Sequence, residues 1–165
     1  AKRFLAAISE FKTLGKPVNT LVTVNLDKGW LDISPAECSS FARQSFKRLR
    51  DMLKRAGCRW ALVWVLENKP VIGIHLHMLI HRSPEYESDI QGFRKLLKRA
   101  FQADPYKART IRFCKFRSWY KSYAENRGNL ERYCLKGLRP EVACDFGVKP
   151  EFQGKIIGKR VGVMG

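Results

Sequence analysis

The sequence predicts an α+β fold, with one largely antiparallel sheet and helices packed on it. Strand-like and helical stretches follow in the order β, long α, β-hairpin, α, β, α. Two strands are joined by a connection short enough to require antiparallel pairing. The chain of 165 residues is 45% hydrophobic, enough to core one domain. That order is the ferredoxin-like one, or its RRM-like version with an open sheet face.

The elements are justified in turn. Phe4, Leu5, Ile8 and Phe11 recur at helical spacing until Gly15, Lys16 and Pro17 break the pattern. Residues 19–26 alternate apolar and polar with β-branched side chains and predict a strand. Ser34-Pro35-Ala36-Glu37 has the form of a capping box with Pro at the first helical position, and the helix it opens runs to Gly57. Its apolar stripe is Phe41, Ala42, Leu49, Met52, Leu53 and Ala56. Residues 59–67 and 71–82 predict two strands that turn at Asn68-Lys69-Pro70. A helix is expected at about 85–102 and a basic strand at 109–117. A helical region carrying Tyr120, Tyr123 and Tyr133 follows, interrupted near Asn126–Asn129 and ended by Gly137 and Pro140. We expect one domain over 1–165, with a core at about 19–140 and a basic, Gly-rich tail over 147–165.

Charge narrows the partners. The chain has 32 Lys or Arg against 15 Asp or Glu, a net charge of +17. Such an excess disfavours a compact free protein and calls for a polyanion, either nucleic acid or an anionic membrane surface. Residues 91–139 hold 14 Lys or Arg and 3 Asp or Glu, a net +11. Arg109, Arg112, Lys115 and Arg117 are interleaved there with Phe113 and Phe116, and Trp119 and Tyr120 follow. Cations for phosphates and aromatic faces for bases are the means of binding single strands. The basic residues are spread over several elements and not along one amphipathic helix, which argues against a membrane surface. No apolar run reaches a spanning length, and no signal peptide is visible. Five cysteines at wide spacing, with no CxxC pair, predict free thiols in a reducing cytoplasm.

All three histidines, His75, His77 and His81, fall within seven residues. On a strand, His75 and His77 point to one face, near enough to share a divalent ion, while Ile74, Leu76, Met78 and Ile80 face a core. Glu67, just across the hairpin, offers a carboxylate. Two imidazoles and a carboxylate with open positions suit Mg²⁺ or Mn²⁺. His81 has the same parity and is either a fourth ligand or a residue of the strand end. Downstream, Tyr133 and Lys136 share a helical face. Lys136 beside the phenol would favour phenolate and neutralise an approaching phosphate.

Together these residues resemble the HUH endonuclease superfamily of rolling-circle replication initiators, relaxases and related transposases. His75-Leu76-His77 matches its His–hydrophobic–His motif. Tyr133-Cys134-Leu135-Lys136 matches the Tyr-x-x-Lys motif of single-Tyr replication initiators. Leu21–Asn25 is similar to their first strand motif, and Glu67 stands where many carry a third metal ligand. The resemblance covers about residues 19–140. It implies a metal-dependent nick in single-stranded DNA through a 5′-phosphotyrosine, with the ion on Glu67, His75 and His77, Tyr133 as nucleophile and Lys136 beside it. Arg109, Arg112, Lys115, Arg117 and Arg132 are the expected DNA contacts. The chain has no nucleotide-binding Gly-x-x-x-x-Gly-Lys loop, so a separate helicase would be a partner. A relaxase or transposase of the same superfamily, or a non-catalytic ferredoxin-like nucleic-acid-binding module, is the alternative. In the last, Tyr133 is structural and the His pair incidental.

Overall fold

A computed structural model of the chain describes residues 1–26, 31–70, 73–104, 110–115, 122–137, 140–151, 153–154, 156–157 and 161–165. The side chains of Cys114, Lys115, Tyr123 and Pro140 also lie outside this set. The elements are α1 (Lys2–Thr13), β1 (Thr20–Asn25), α2 (Cys38–Arg55), β2 (Leu62–Lys69), β3 (Gly73–Ile80), α3 (Pro84–Glu87), α4 (Ile90–Ala100), β4 (Ile111–Lys115), α5 (Tyr123–Leu135), α6 (Pro140–Cys144) and β5 (Val161–Met164). The strands form one sheet in the order β4-β1-β3-β2-β5, with every pairing antiparallel. The β1-α2-β2-β3-α4-β4 succession with β1 and β3 central is the ferredoxin-like arrangement. β5 adds a strand outside β2, so β4 forms the other edge.

Strand parity sorts the core into two layers. Val22, Val24, Leu62, Trp64, Leu66, Ile74, Leu76, Met78 and Ile80 point to one face and pack against Phe46, Leu49 and Leu53 of α2 and Phe93 and Leu97 of α4. Phe46 is the hub there, with ring centroids 5.4 Å from Trp64 and 6.0 Å from Phe101. The opposite face carries Leu21, Val63, Val65 and Leu79, which pack against Phe4, Ile8 and Phe11 of α1 and Cys134 and Leu135 of α5. This face is therefore covered by α1 and α5 over β2, β3 and part of β1, while Arg112 of β4 is exposed. The amino-terminal amphipathic segment and α5 each need somewhere to bury an apolar stripe, and this face supplies it.

Local chemistry explains the boundaries. Gly57 (φ 69°) closes α2 by donating to Lys54 O while Cys58 donates to Leu53 O, a left-handed cap that favours Gly. The start of α2 differs from expectation. Residues after Ser34 form a tight turn, the Glu37 carboxylate is taken by Ser34 Oγ, and the helix begins at Cys38. A complete capping box occurs instead at Ser122 and Glu125, opening α5. That helix runs unbroken through Gly128, supported by Arg127–Glu131 (3.1 Å) and by Arg132 donating to Asn129 (2.8 Å), so the expected interruption is absent. The helix expected at 85–102 is split, because the Asp89 side chain accepts from Gly92 N and starts a new helix there. The hairpin turn is also shifted from its expected place: Asn68 and Lys69 still pair with Ile74 and Gly73.

The described cysteines are free, Cys38, Cys58 and Cys134 buried and Cys144 exposed. Among the described residues no helix is long and apolar enough to cross a membrane. Gly162 of β5 pairs with Trp64, and a Cβ placed there would collide with the indole. Gly162→Ala should therefore lower the urea midpoint by an amount equivalent to about 1–3 kcal/mol at unchanged slope. An unchanged midpoint would show that this contact carries no strain.

Candidate metal centre

The hairpin register builds the site. Glu67 pairs directly with His75, and Val65 with His77. On the other side of β3, Asn25 pairs with His75 and Thr23 with His77. Glu67, His75, His77 and Thr23 therefore share a face, at the end of the sheet where β2 turns into β3. Asn25, Lys69 and Arg112 have the same parity, so this end of the face is polar while its remainder, at Leu21, Val63, Val65 and Leu79, is apolar.

Glu67 Oε2 lies 3.1 Å from His75 Nε2 and 3.3 Å from His77 Nε2. All three residues are buried, and their donor atoms lie within 4.8 Å of one another. Metal–ligand bonds of about 2.1 Å place adjacent donors about 3.0–3.4 Å apart, from octahedral to tetrahedral angles. The two distances to Glu67 fall in that range. The far side of each ring is anchored. His75 Nδ1 lies 3.1 Å from Gly73 O and, facing a carbonyl, must donate to it. His77 Nδ1 lies 2.9 Å from Thr23 Oγ1. Such outer contacts fix the tautomer and aim Nε2 at a metal.

The group keeps unused donor capacity although Lys136 Nζ lies 3.5 Å from Glu67 Oε2. His77 Nε2 and Glu67 Oε1 are buried with no hydrogen-bond partner. Burial would raise the Glu67 pKa, but the His75 and His77 contacts and the Lys136 charge outweigh it and hold the carboxyl far below the usual range. Burial pushes His77 below the ordinary imidazole range despite the pull of Glu67, which favours the neutral ring a metal requires. A carboxylate and two imidazole nitrogens converge here within metal-ligand distance, with the Lys136 ammonium beside them. The residues fit a divalent ion, and imidazole with carboxylate does not select one metal.

Tyr133 stands at the rim. Its ring packs edge-on against His77 with centroids 4.9 Å apart, and the residue is 39% exposed. Lys136 Nζ sits 3.6 Å from the centre of the Tyr133 ring and 3.5 Å from Glu67 Oε2. The lysine thus covers the ring face and pairs with the buried carboxylate. The phenol pKa is raised by burial and then by Glu67, and the cation that opposes this is Lys69. Net stabilisation of phenolate in the free protein, as expected from Tyr133 and Lys136 alone, does not occur.

The other sequence candidates divide. Arg112 pairs with Thr23, is exposed, and stands in the same cross-strand row as His77. Arg132 is exposed on α5, one residue before Tyr133. Lys115 stands in a different row, opposite Thr20. Arg109 and Arg117, with Phe116, Trp119 and Tyr120, lie outside the described residues. His81 is not in the ligand group. It is buried, with Nδ1 2.9 Å from Pro17 O. Thr23, Lys69 and Glu151 escaped the sequence reading. Strand parity with Glu67 was an available signal for Lys69, and nothing in the sequence marked Glu151.

No protein-family model, curated protein sequence or solved structure matches the chain.

Saturating Mn²⁺, at about 100 times its dissociation constant, should stabilise the protein by about 2.7 kcal/mol. The rise in melting temperature should vanish in His75→Ala. An equal rise in both proteins would place the binding elsewhere. Thr23→Val should weaken Mn²⁺ about 10–100-fold by calorimetry, because His77 loses its outer anchor. Unchanged affinity would show that Thr23 does not orient the ring.

Proposed function

We propose that the chain is a metal-dependent nickase of single-stranded DNA. It would be of the HUH type that it resembles, with the single Tyr of rolling-circle replication initiators. The observation that carries this reading is the contact of the half-exposed Tyr133 ring with His77 of the buried Glu–His–His group. A nucleophile of the right chemistry stands at the opening of a cation site, in a chain of net charge +17.

Glu67, His75 and His77 would hold a divalent ion, which when bound would supply positive charge to polarise a phosphate oxygen. The remaining work belongs to the chain. Tyr133 is held as a neutral phenol by burial and by Glu67. Its oxygen attacks the scissile phosphorus, so the phenolic O–P bond forms and the phenol proton is released. The bond from phosphorus to the 3′ oxygen breaks, and that oxygen takes up a proton to leave as a 3′-OH. The DNA 5′ end is left on Tyr133 as a phosphodiester, and the reverse reaction rejoins the strands. Lys136, between the Tyr133 ring and Glu67, fixes the ring beside the ligands and adds positive charge where the phosphate would arrive. Arg112 and Arg132 would hold flanking phosphates.

Helices α1 and α5 cover much of the second sheet face, so the strand would run along the margin where Tyr133 and Arg112 are exposed. Unwinding would fall to a separate helicase.

The test is covalent capture from a random-sequence pool of single-stranded DNA with Mn²⁺, read on a denaturing gel. We expect an adduct that Tyr133→Phe and His75→Ala reduce by at least about 10³-fold, as loss of a nucleophile does. Tight binding with no adduct from the pool would overturn nicking and leave a binding module. An adduct surviving in Tyr133→Phe would move the nucleophile to Tyr120 or Tyr123.

A further inference from the structure

A second charge cluster adjoins the ligands. Lys69 Nζ lies 2.7 Å from Glu151 Oε2, and Lys136 Nζ lies 3.7 Å from the same oxygen. Lys136 is in turn 3.5 Å from Glu67 Oε2. One carboxylate oxygen therefore sits between two ammonium groups beside Tyr133. Lys69 follows Glu67 by two residues on β2 and so shares its face, about 7 Å further along the strand. The Lys136 side chain is 7% exposed and that of Glu151 is 46% exposed.

Backbone contacts hold Glu151 in place independently of its carboxylate. Glu151 N donates to Lys136 O and Gly154 N to Asn68 O, each at 2.7 Å. Asn68 N donates to Gln153 Oε1 at 3.2 Å. The 151–154 segment is thus fastened across the end of β2 and the end of α5. Its carboxylate reaches back to the two lysines from the solvent side, and it could swing out while these bonds persist.

We infer that Lys69 and Lys136 form a seat for a phosphate of the bound strand, and that the Glu151 carboxylate fills this seat until the phosphate displaces it. This deepens the nicking reading and rests on it. A phosphodiester carries one negative charge, as the carboxylate does, so the exchange leaves the local charge unchanged. It also avoids leaving the buried Lys136 between Glu67 and an empty position when DNA is absent, since an unpaired buried cation is costly. The Glu151–Lys69 pair is partly exposed and is weak enough to be displaced.

The experiment measures anisotropy of a labelled mixed-sequence single-stranded oligonucleotide with the whole chain, in chelator, over a range of salt. Glu151→Gln keeps the backbone bonds and removes the competing charge. It should tighten binding about two- to fivefold, the span of an exposed ion pair. Asp51→Asn makes the same change of charge on α2, across the sheet, and should tighten binding less. Lys69→Met should weaken binding and make the log–log salt slope shallower by about 0.7, one single-strand phosphate contact. Lys69→Arg should restore the slope, which separates a lost contact from a folding defect.

If Glu151→Gln binds no tighter than Asp51→Asn, or the slope survives Lys69→Met, the seat is overturned. The two readings fail differently. Variants that behave as expected without any covalent adduct keep the seat and remove nicking. An adduct formed while both variants bind like the parent protein keeps nicking and removes the seat.

Discussion

A fully buried carboxylate organises this molecule. Glu67 has no exposed surface, and taking such a charge out of water costs several kcal/mol unless it is compensated. Compensation comes from three directions: His75 and His77 across the hairpin, and Lys136 from the end of α5. Each tie constrains something larger. The two histidines require the β2–β3 register, because a one-residue slip would turn both rings into the opposite core. Lys136 requires α5 to end over β2. Tyr133, one turn earlier on α5, is then brought against His77. The electrostatics of one side chain thus tie a helix distant in sequence to the hairpin.

The same sheet serves two purposes on its two faces. The layer under α2 and α4 is apolar, with Phe46 in contact with both Trp64 and Phe101. The layer under α1 and α5 is apolar at Leu21, Val63, Val65 and Leu79 and turns polar toward the end where Glu67, His75, His77 and Thr23 meet. A metal site at the boundary between packed core and solvent has two advantages. Its ligands are held by rigid strands and its neighbours can exclude water, while one edge stays open.

Much of this was legible in the sequence, for physical reasons that differ by element. The sheet and α2 announce themselves through periodicity, and Glu67, His75 and His77 through strand parity combined with a short hairpin. Parity does not report which elements cover a face. The covered state of the histidine face therefore depended on where α1 and α5 dock, a tertiary matter. The Ser34–Glu37 and Ser122–Glu125 segments share the same Ser-x-x-Glu pattern, and only the second caps a helix. Pattern alone does not say whether the Glu side chain finds a backbone N–H or the Ser hydroxyl. The interruption expected near Gly128 failed because one Gly costs a helix only about 1 kcal/mol, which i,i+4 pairs and packing offset. Glu151 was invisible because its ion pairs, to Lys69 82 residues away and to Lys136 15 residues away, leave no local trace.

The edge position of β4 gives its basic residues a second consequence. β5 shields the outer side of β2 over Leu62–Val65, but the sheet order leaves β4 at the other margin. A margin strand offers unpaired backbone groups to any other chain, and cationic side chains along it are a common deterrent to such pairing. Ile111-Arg112-Phe113-Cys114-Lys115 would otherwise be an apolar, recruitable strand. Arg112, exposed on this strand, is a charge of the kind that opposes such pairing. A charge placed on this margin thus bears on strand pairing between chains, whatever else it contacts.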